Sequence, residues 1–218
     1  MFNIIKKAIS NTATFKQLRA MQYAQTIDFS YEEFVECVNE LLIEQGQNWP
    51  CRVARYGHLM SEEEVRASLT KKAGLLRHIP WVSRKIDAIA KECDGKPSQA
   101  FYAETTASEN GDDFKDEVIL YYNVFRDKWW SVNPEQLDWR EAVRTILRHE
   151  YRHVAQIKEL RRRGGAAYVH AAYQAHMRVG LFNYKKDPME EDAYANQSFP
   201  PSEQSDLGTA VDKIISNF

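Results

Sequence analysis

The sequence lacks the features that mark exported, membrane-spanning or strongly basic proteins. No apolar run approaches the roughly 18 residues that a transmembrane helix needs, and residues 1–7 lack the continuous apolar segment of a signal peptide. The net charge is −2, which gives no global attraction to nucleic acid. We therefore expect a cytoplasmic protein, or alternatively one located in a virion, with neither a nucleic-acid partner nor a membrane partner.

Cysteine is scarce as well. The three residues, Cys37, Cys51 and Cys93, are an odd and widely spaced set, and none has the CxxC spacing of a zinc ribbon. This pattern excludes a disulfide-stapled domain and predicts reduced thiols in the core.

The first 94 residues read as mostly helical. Residues 1–28 are weakly patterned and predict an arm. The sequence then predicts three helices: one from the capping box at Ser30 to about Gln45, one from Ser61 to about His78, and one over 81–93 after the break at Pro80.

Two segments rich in β-branched and aromatic residues follow, at 100–106 and 118–125, with turn chemistry between them at 110–113. They predict a hairpin or two neighbouring strands.

The most informative feature is present rather than absent: His149-Glu150-Tyr151-Arg152-His153, an HExxH motif. Histidines four positions apart project from the same side of a helix, so both imidazoles can bind one Zn²⁺ while the glutamate faces a water. The helix is predicted from about Asn133 or Asp138 to Arg163, where Gly164-Gly165 ends it. A further helix is predicted from Ala166 to about Val179.

A helical wheel places His149, Glu150 and His153 on the apolar face of this helix. Burial of a carboxylate and two imidazoles costs several kcal/mol without partners, so a bound cation is favoured over two ordinary core histidines. The arginines at 144, 148, 152 and 161–163 fall on the opposite face, which predicts solvent exposure rather than a nucleic-acid footprint.

A catalytic zinc usually has three protein ligands and a water. The metzincin pattern is excluded because Gln156 and Glu159 stand where Gly and a third His would follow. An acidic helix is predicted after an N-cap at Asp187 and Pro188 at its first position. It offers Glu190, Glu191 and Asp192 as carboxylate ligands, although Glu190 could instead complete a capping box.

With these residues the chain resembles the gluzincins, specifically short bacterial and phage metallopeptidase-like domains in which a Pro-x-Glu-x-x-Ala helix follows HExxH. The resemblance covers roughly residues 95–200, and its second motif rests on Pro188, Glu190 and Ala193. It implies zinc bound by His149, His153 and Glu190. It also implies a small sheet beside the HExxH helix whose edge pairs with extended substrate, so the later strand is a candidate substrate platform, with an ordinary structural sheet as the alternative. Many gluzincins carry Asp after that Ala to hold a ligand histidine, whereas this chain has Tyr194, so Glu191 or Asp192 stays open as the ligand.

The predicted fold is α+β and predominantly helical, with a zincin-like core in which a small β-sheet packs beside the HExxH helix. The predicted organisation is a helical N-terminal region over 1–94, a metallopeptidase domain over 95–200 and a tail over 201–218. A short amphipathic stretch near 211–215 packs either within the chain or against a partner.

The predicted function is hydrolysis of peptide bonds by a zinc-activated water, with Glu150 as general base. Gluzincins use a Tyr or His to stabilise the oxyanion, and Tyr173 and His176 are the candidates. The expected partner is a protein or peptide substrate. One alternative is a structural or interaction protein, such as a component of a phage particle or other large assembly, that retains this fold. Another is a regulatory protease with one specific substrate.

Overall fold

A computed structural model describes residues 13–47, 50–57, 60–97, 102–107, 117–132, 137–179 and 186–218. Most of them are helical and a three-stranded sheet is the β component, which confirms the predicted α+β, predominantly helical class. In chain order the elements are α1 (Ala13–Ala24), α2 (Tyr31–Glu44), β1 (Cys51–Ala54), α3 (Glu62–Ala73), a 3₁₀ turn (Gly74–His78), α4 (Pro80–Cys93), β2 (Ala103–Thr106), β3 (Glu117–Tyr121), α5 (Tyr122–Lys128), a second 3₁₀ turn (Trp129–Ser131), α6 (Trp139–Val179), α7 (Pro188–Asn196), a third 3₁₀ turn (Pro201–Glu203) and α8 (Leu207–Ile215).

The sheet has the order β1-β3-β2. β2 and β3 are antiparallel with Ala103 opposite Leu120, so the predicted pair of neighbouring strands is confirmed. The later strand is wrong as the candidate substrate platform, because β3 is the central strand, and the alternative of a structural strand holds for it. Within the described residues β2 lies at the edge. β1, which the sequence analysis missed, pairs with β3 in parallel, with Cys51 opposite Val118.

The predicted strand over 118–125 is also too long, since β3 ends at Tyr121 and α5 begins at the next residue. A continuous apolar run fits a buried strand and a buried helix equally well. Here Tyr122, Phe125 and Trp129 recur at helical spacing and are all buried in one cluster. Tertiary packing therefore decides between the two.

The main core lies between the sheet, α2, α5 and the first half of α6. Phe34 of α2, Leu120 of β3, Phe125 of α5 and Leu147 of α6 are almost fully buried in one cluster. The predicted capping box at the start of α2 is confirmed, because the Ser30 hydroxyl accepts from the Glu33 amide and the Glu33 carboxylate accepts from the Ser30 amide. α2 and β1 thus pack with elements beyond the predicted boundary at residue 94.

α6 runs through the middle of the molecule and is buried on most sides between Ile146 and Ile157. At Gly164 and Gly165 the backbone leaves the helical conformation, so α6 consists of two helices joined by a kink, as the glycine pair predicts. Gly165 has φ of 64°, in the left-handed region that favours glycine. The expected solvent exposure of the arginine stripe is wrong for Arg152, which is only 4% exposed because α7 and the following segment cover that face.

α3 and α4 form a hairpin, which we call the apical hairpin (residues 62–93). The first helix begins after Ser61, as predicted, and the second begins at Pro80, one residue before the predicted start, because proline fits the first position of a helix. They pack mainly on each other. Their buried residues Ile86 and Ala90 do not belong to the three apolar clusters of the described chain.

Both ends of the described chain are helical. Residues 13–24 of the predicted arm form α1, a correction to that prediction, and residues 1–12 lie outside the described part. α8 packs within the chain, because Val211 and Ile214 are buried against Leu160 of α6. None of the described helices combines enough length with enough apolar character to span a bilayer.

The three cysteines are unpaired. Burial raises the pKa of the Cys37 thiol to about 11 and that of Cys51 to about 12. Both thiols therefore remain protonated and poorly nucleophilic at neutral pH.

Candidate metal centre

The first half of α6 brings the two histidines of the motif together. One helical turn separates His149 from His153, and their Nε2 atoms lie 3.2 Å apart. Each residue is only 8% exposed, in agreement with the helical wheel. Two imidazole nitrogens therefore converge on one buried point.

α7 supplies a carboxylate to the same point. The Asp187 side chain caps this helix by accepting from the amides of Met189 and Glu190, and Pro188 takes the first helical position, as predicted. Glu190 is 3% exposed, and its two carboxylate oxygens lie 3.3 Å from His149 Nε2 and 3.3 Å from His153 Nε2. The buried Glu190 carboxylate thus faces the two imidazoles.

The other two acids of the cluster point elsewhere. Glu191 lies at the surface and pairs with Lys213 of α8 at 2.6 Å. Asp192 forms a two-point contact with the Arg152 guanidinium, at 2.7 and 3.0 Å. In the described chain, His149, His153 and Glu190 are the group of side chains whose donor atoms converge within metal-binding distance.

The chemistry of these side chains and the spacing of the two imidazole nitrogens fit a zinc ion. Tetrahedral zinc with bonds of about 2.0 to 2.1 Å holds its ligand atoms about 3.3 Å from one another. The two Nε2 atoms lie 3.2 Å apart, and each lies 3.3 Å from a different oxygen of the Glu190 carboxylate. Two imidazoles with one carboxylate also form a common donor set of catalytic zinc sites. The donor set therefore suits zinc in chemistry, and its two nitrogens have the spacing of a tetrahedral site.

His153 is held in place through its second nitrogen. Its Nδ1 lies 2.9 Å from Gln156 Oε1, and the Gln156 amide donates to Asp192 at 2.7 Å and to the Met189 carbonyl at 3.1 Å. Burial lowers the pKa of His153, but the contacts with Glu190 outweigh it and raise the pKa to about 9.

His149 is oriented differently. Its buried Nδ1 makes no hydrogen bond within the described residues. The Tyr194 ring packs against the imidazole in a T-shaped arrangement with centroids 4.6 Å apart. Tyr194 occupies the position where many gluzincins carry Asp, so an aromatic contact stands where the resemblance implies a carboxylate.

Glu150 lies at the junction of α6 and the edge strand. Its Oε2 accepts a hydrogen bond of 2.7 Å from the Thr105 hydroxyl of β2, which also lies 3.2 Å from the Glu150 carbonyl oxygen. In the described part of the chain Oε1 makes no hydrogen bond and can accept a proton. β2 thus fixes the carboxylate while leaving one oxygen for chemistry.

The two oxyanion candidates lie on the second half of α6. Tyr173 is 51% exposed. His176 Nδ1 lies 3.4 Å from the Asp187 carboxylate that caps α7. Their role in the reaction stays a prediction.

Sequence reasoning missed Thr105, Gln156 and Tyr194 as parts of the site. Gln156 had a usable signal, since it follows His153 by three positions on the same helix and can reach its ring. Tyr194 also had a signal, because it directly follows Ala193 of the second motif. Thr105 had no signal, because only the sheet brings β2 to α6.

Comparisons of the chain with protein-family models, with curated proteins and with solved structures give no match. The geometry of the site is accordingly the basis on which a function is inferred.

Proposed function

We propose that the protein is a zinc-dependent peptidase whose metal is held by His149, His153 and Glu190. The observation that carries the proposal is the convergence of three buried side chains from two helices: the two Nε2 atoms lie 3.2 Å apart, and each lies 3.3 Å from a different oxygen of the Glu190 carboxylate. A second observation supports it. Glu150 directly follows the ligand His149, and its carboxylate is not one of the proposed ligands, so it is available as a base.

When bound, zinc acts as a Lewis acid that polarises a carbonyl and lowers the pKa of water to about 7. The chain supplies the remaining steps. Glu150 accepts the water proton at Oε1 while Thr105 holds Oε2, and the same carboxyl then gives the proton to the leaving amine. His153 keeps its Nε2 aimed at the site through the bond from Nδ1 to Gln156.

Tyr194 joins Tyr173 and His176 as a candidate for stabilising the oxyanion. It packs on His149 and is 37% exposed, so it borders both the buried ligands and solvent. Burial raises the pKa of its phenol, and the nearby Glu190 and Glu150 carboxylates add to the increase. The hydroxyl therefore stays protonated and can donate a hydrogen bond.

The decisive experiment combines metal content with turnover. Purified protein should contain one zinc per chain by elemental analysis and hydrolyse an unfolded protein such as casein. Glu150→Gln should keep the zinc and lose turnover by at least about a thousandfold, whereas His153→Ala should lose both. Unchanged proteolysis by metal-loaded Glu150→Gln would overturn the role of Glu150, and absence of zinc binding by the unmodified chain would overturn the proposal.

A structural metal site is the second candidate. Two observations favour it. Glu150 already accepts a hydrogen bond from Thr105, and Glu150 is only 7% exposed, which leaves little room for a substrate. In that case zinc should raise the midpoint of thermal unfolding equally in the unmodified chain and in Glu150→Gln, with no hydrolysis by either.

A further inference from the structure

The tip of the apical hairpin, residues 74–81, is exposed at every position. It carries four large apolar side chains within seven residues, and a group of this kind on a soluble surface marks an interaction site. The exposed fractions are 87% for Leu75, 58% for Leu76, 36% for Ile79 and 64% for Trp81.

The segment that includes and flanks the tip is strongly cationic. Residues 71–85 contain five Lys or Arg and no Asp or Glu, with Arg77 in the tip and the other four beside it, although the whole chain has a net charge of −2. Within the described residues, Lys71, Arg77 and Lys85 form no ion pair. The rest of the chain is net negative, so an anionic surface would attract the tip and repel the remainder.

Polar contacts hold the two helices of the hairpin together below the tip. Arg66 of α3 contacts both Glu62 and Asp87, which ties the two helices together. At the open end the Glu62 amide donates to the Asp94 carboxylate at 3.0 Å, and the Gly95 amide donates to the Met60 carbonyl at 2.9 Å. The exposed apolar side chains are thus a stable feature of the folded hairpin.

We propose that this tip is a peripheral binding surface for an anionic lipid bilayer. Tryptophan and leucine insert at the boundary between headgroups and acyl chains, while Lys and Arg bind anionic headgroups. A convex tip enters a fluid interface readily, whereas a protein partner must offer a matching pocket. A second copy of the tip would bring two cationic surfaces together, and a nucleic acid would leave the four apolar side chains uncovered.

This surface differs from a membrane-spanning segment and is independent of the metal centre. The expectation of no membrane partner rested on apolar runs and on overall charge. Neither quantity detects a short exposed tip in which basic residues flank four apolar side chains.

The test is flotation of the full chain with vesicles of phosphatidylcholine alone and with about one third phosphatidylserine. Binding should require phosphatidylserine and weaken with added salt. Trp81→Ser should lower the partition coefficient about tenfold, and Lys71→Ser with Lys85→Ser about 30-fold, taking about 1 kcal/mol per cation.

Ile43→Ser is the matched control, because Ile43 is an 82% exposed apolar residue on α2 far from the tip in sequence. It should bind as the unmodified chain does. Circular dichroism and thermal unfolding check that every variant is folded.

Three results would overturn the proposal. The first is equal binding to both vesicle types, or to neither. The second is a dimer, detected by light scattering, that Trp81→Ser abolishes, since a second copy would then cover the tip. The third is binding to polyglutamate as tight as to vesicles and unaffected by Trp81→Ser, which would assign the tip to an acidic protein.

Discussion

The first half of α6 and the tip of the apical hairpin place charged and apolar side chains in opposite ways. In α6, Glu150, Arg152 and the two histidines are buried, whereas the tip exposes Leu75 and Trp81. Each buried charge has a partner within the chain: Thr105 for Glu150, Asp192 for Arg152, and Glu190 for the histidines. The apolar side chains of the tip, by contrast, are exposed in the described structure, and the proposed membrane contact would cover them.

The largest effect on stability is expected for Arg152→Ala. The variant leaves the Asp192 carboxylate, whose side chain is 11% exposed, without its counter-ion, and loss of one partner of a buried pair costs about 3 to 5 kcal/mol. Urea unfolding measures the change. Arg162→Ala is the matched control, because that arginine is in a surface pair with Glu159, and it should cost about 1 kcal/mol or less. Equal losses in the two variants would contradict the contrast between buried and surface charge.

Thr105→Val should reveal the coupling between β2 and Glu150. The hydrogen bond joins a hydroxyl to a charged group, so a double-mutant cycle with Glu150→Gln should give a coupling free energy of about 1.5 to 3 kcal/mol. Thr106→Val serves as control, since the Thr106 hydroxyl donates to the Glu117 carbonyl instead. Its cycle with Glu150→Gln should give a value near zero, and comparable coupling in both cycles would argue against the specific contact.

Gln156→Ala should weaken zinc binding without removing a ligand. Loss of the partner that orients a metal-binding histidine typically costs about 10- to 100-fold in metal affinity. Competition with a chromogenic chelator measures this. Gln174→Ala, at an exposed position in the second half of the same helix, should leave the affinity unchanged. Full affinity in Gln156→Ala would exclude the orienting role.

Trp81→Ser should have the smallest effect on folding. Surface substitutions usually change the free energy of unfolding by about 0.5 kcal/mol or less, and the Trp81 side chain is mostly in solvent. Urea unfolding of the variant tests this. A loss as large as that of the buried Leu147→Ala, about 2 to 5 kcal/mol, would show that the tip is packed rather than exposed.

Local signals were enough to predict many elements. The capping box at Ser30, the Asp187 cap with Pro188, and the break at Gly164-Gly165 each depend on residues within one helical turn, and all three appear in the structure. Helical periodicity likewise placed His149 and His153 on a shared buried face.

Features that depend on distant segments were not predicted. β1 exists because β3 pairs with it, and the edge position of β2 follows from the same pairing. Burial of Arg152 requires α7, which adds Asp192 from 40 positions further along the chain. The choice among the three acids of α7 also needs the rotation of that helix relative to α6, which no local pattern specifies.

The parallel pairing of β1 with β3 has a consequence for how the chain folds. It joins segments such as Arg52 and Glu117 that are 65 positions apart, and the apical hairpin lies entirely within the loop that this pairing closes. Contacts within the hairpin are short-range and can form within microseconds, whereas closure of a long loop is slower. An early hairpin shortens the effective loop, so the sheet that holds Glu150 in place is expected to assemble faster with the hairpin than with a flexible linker of equal length.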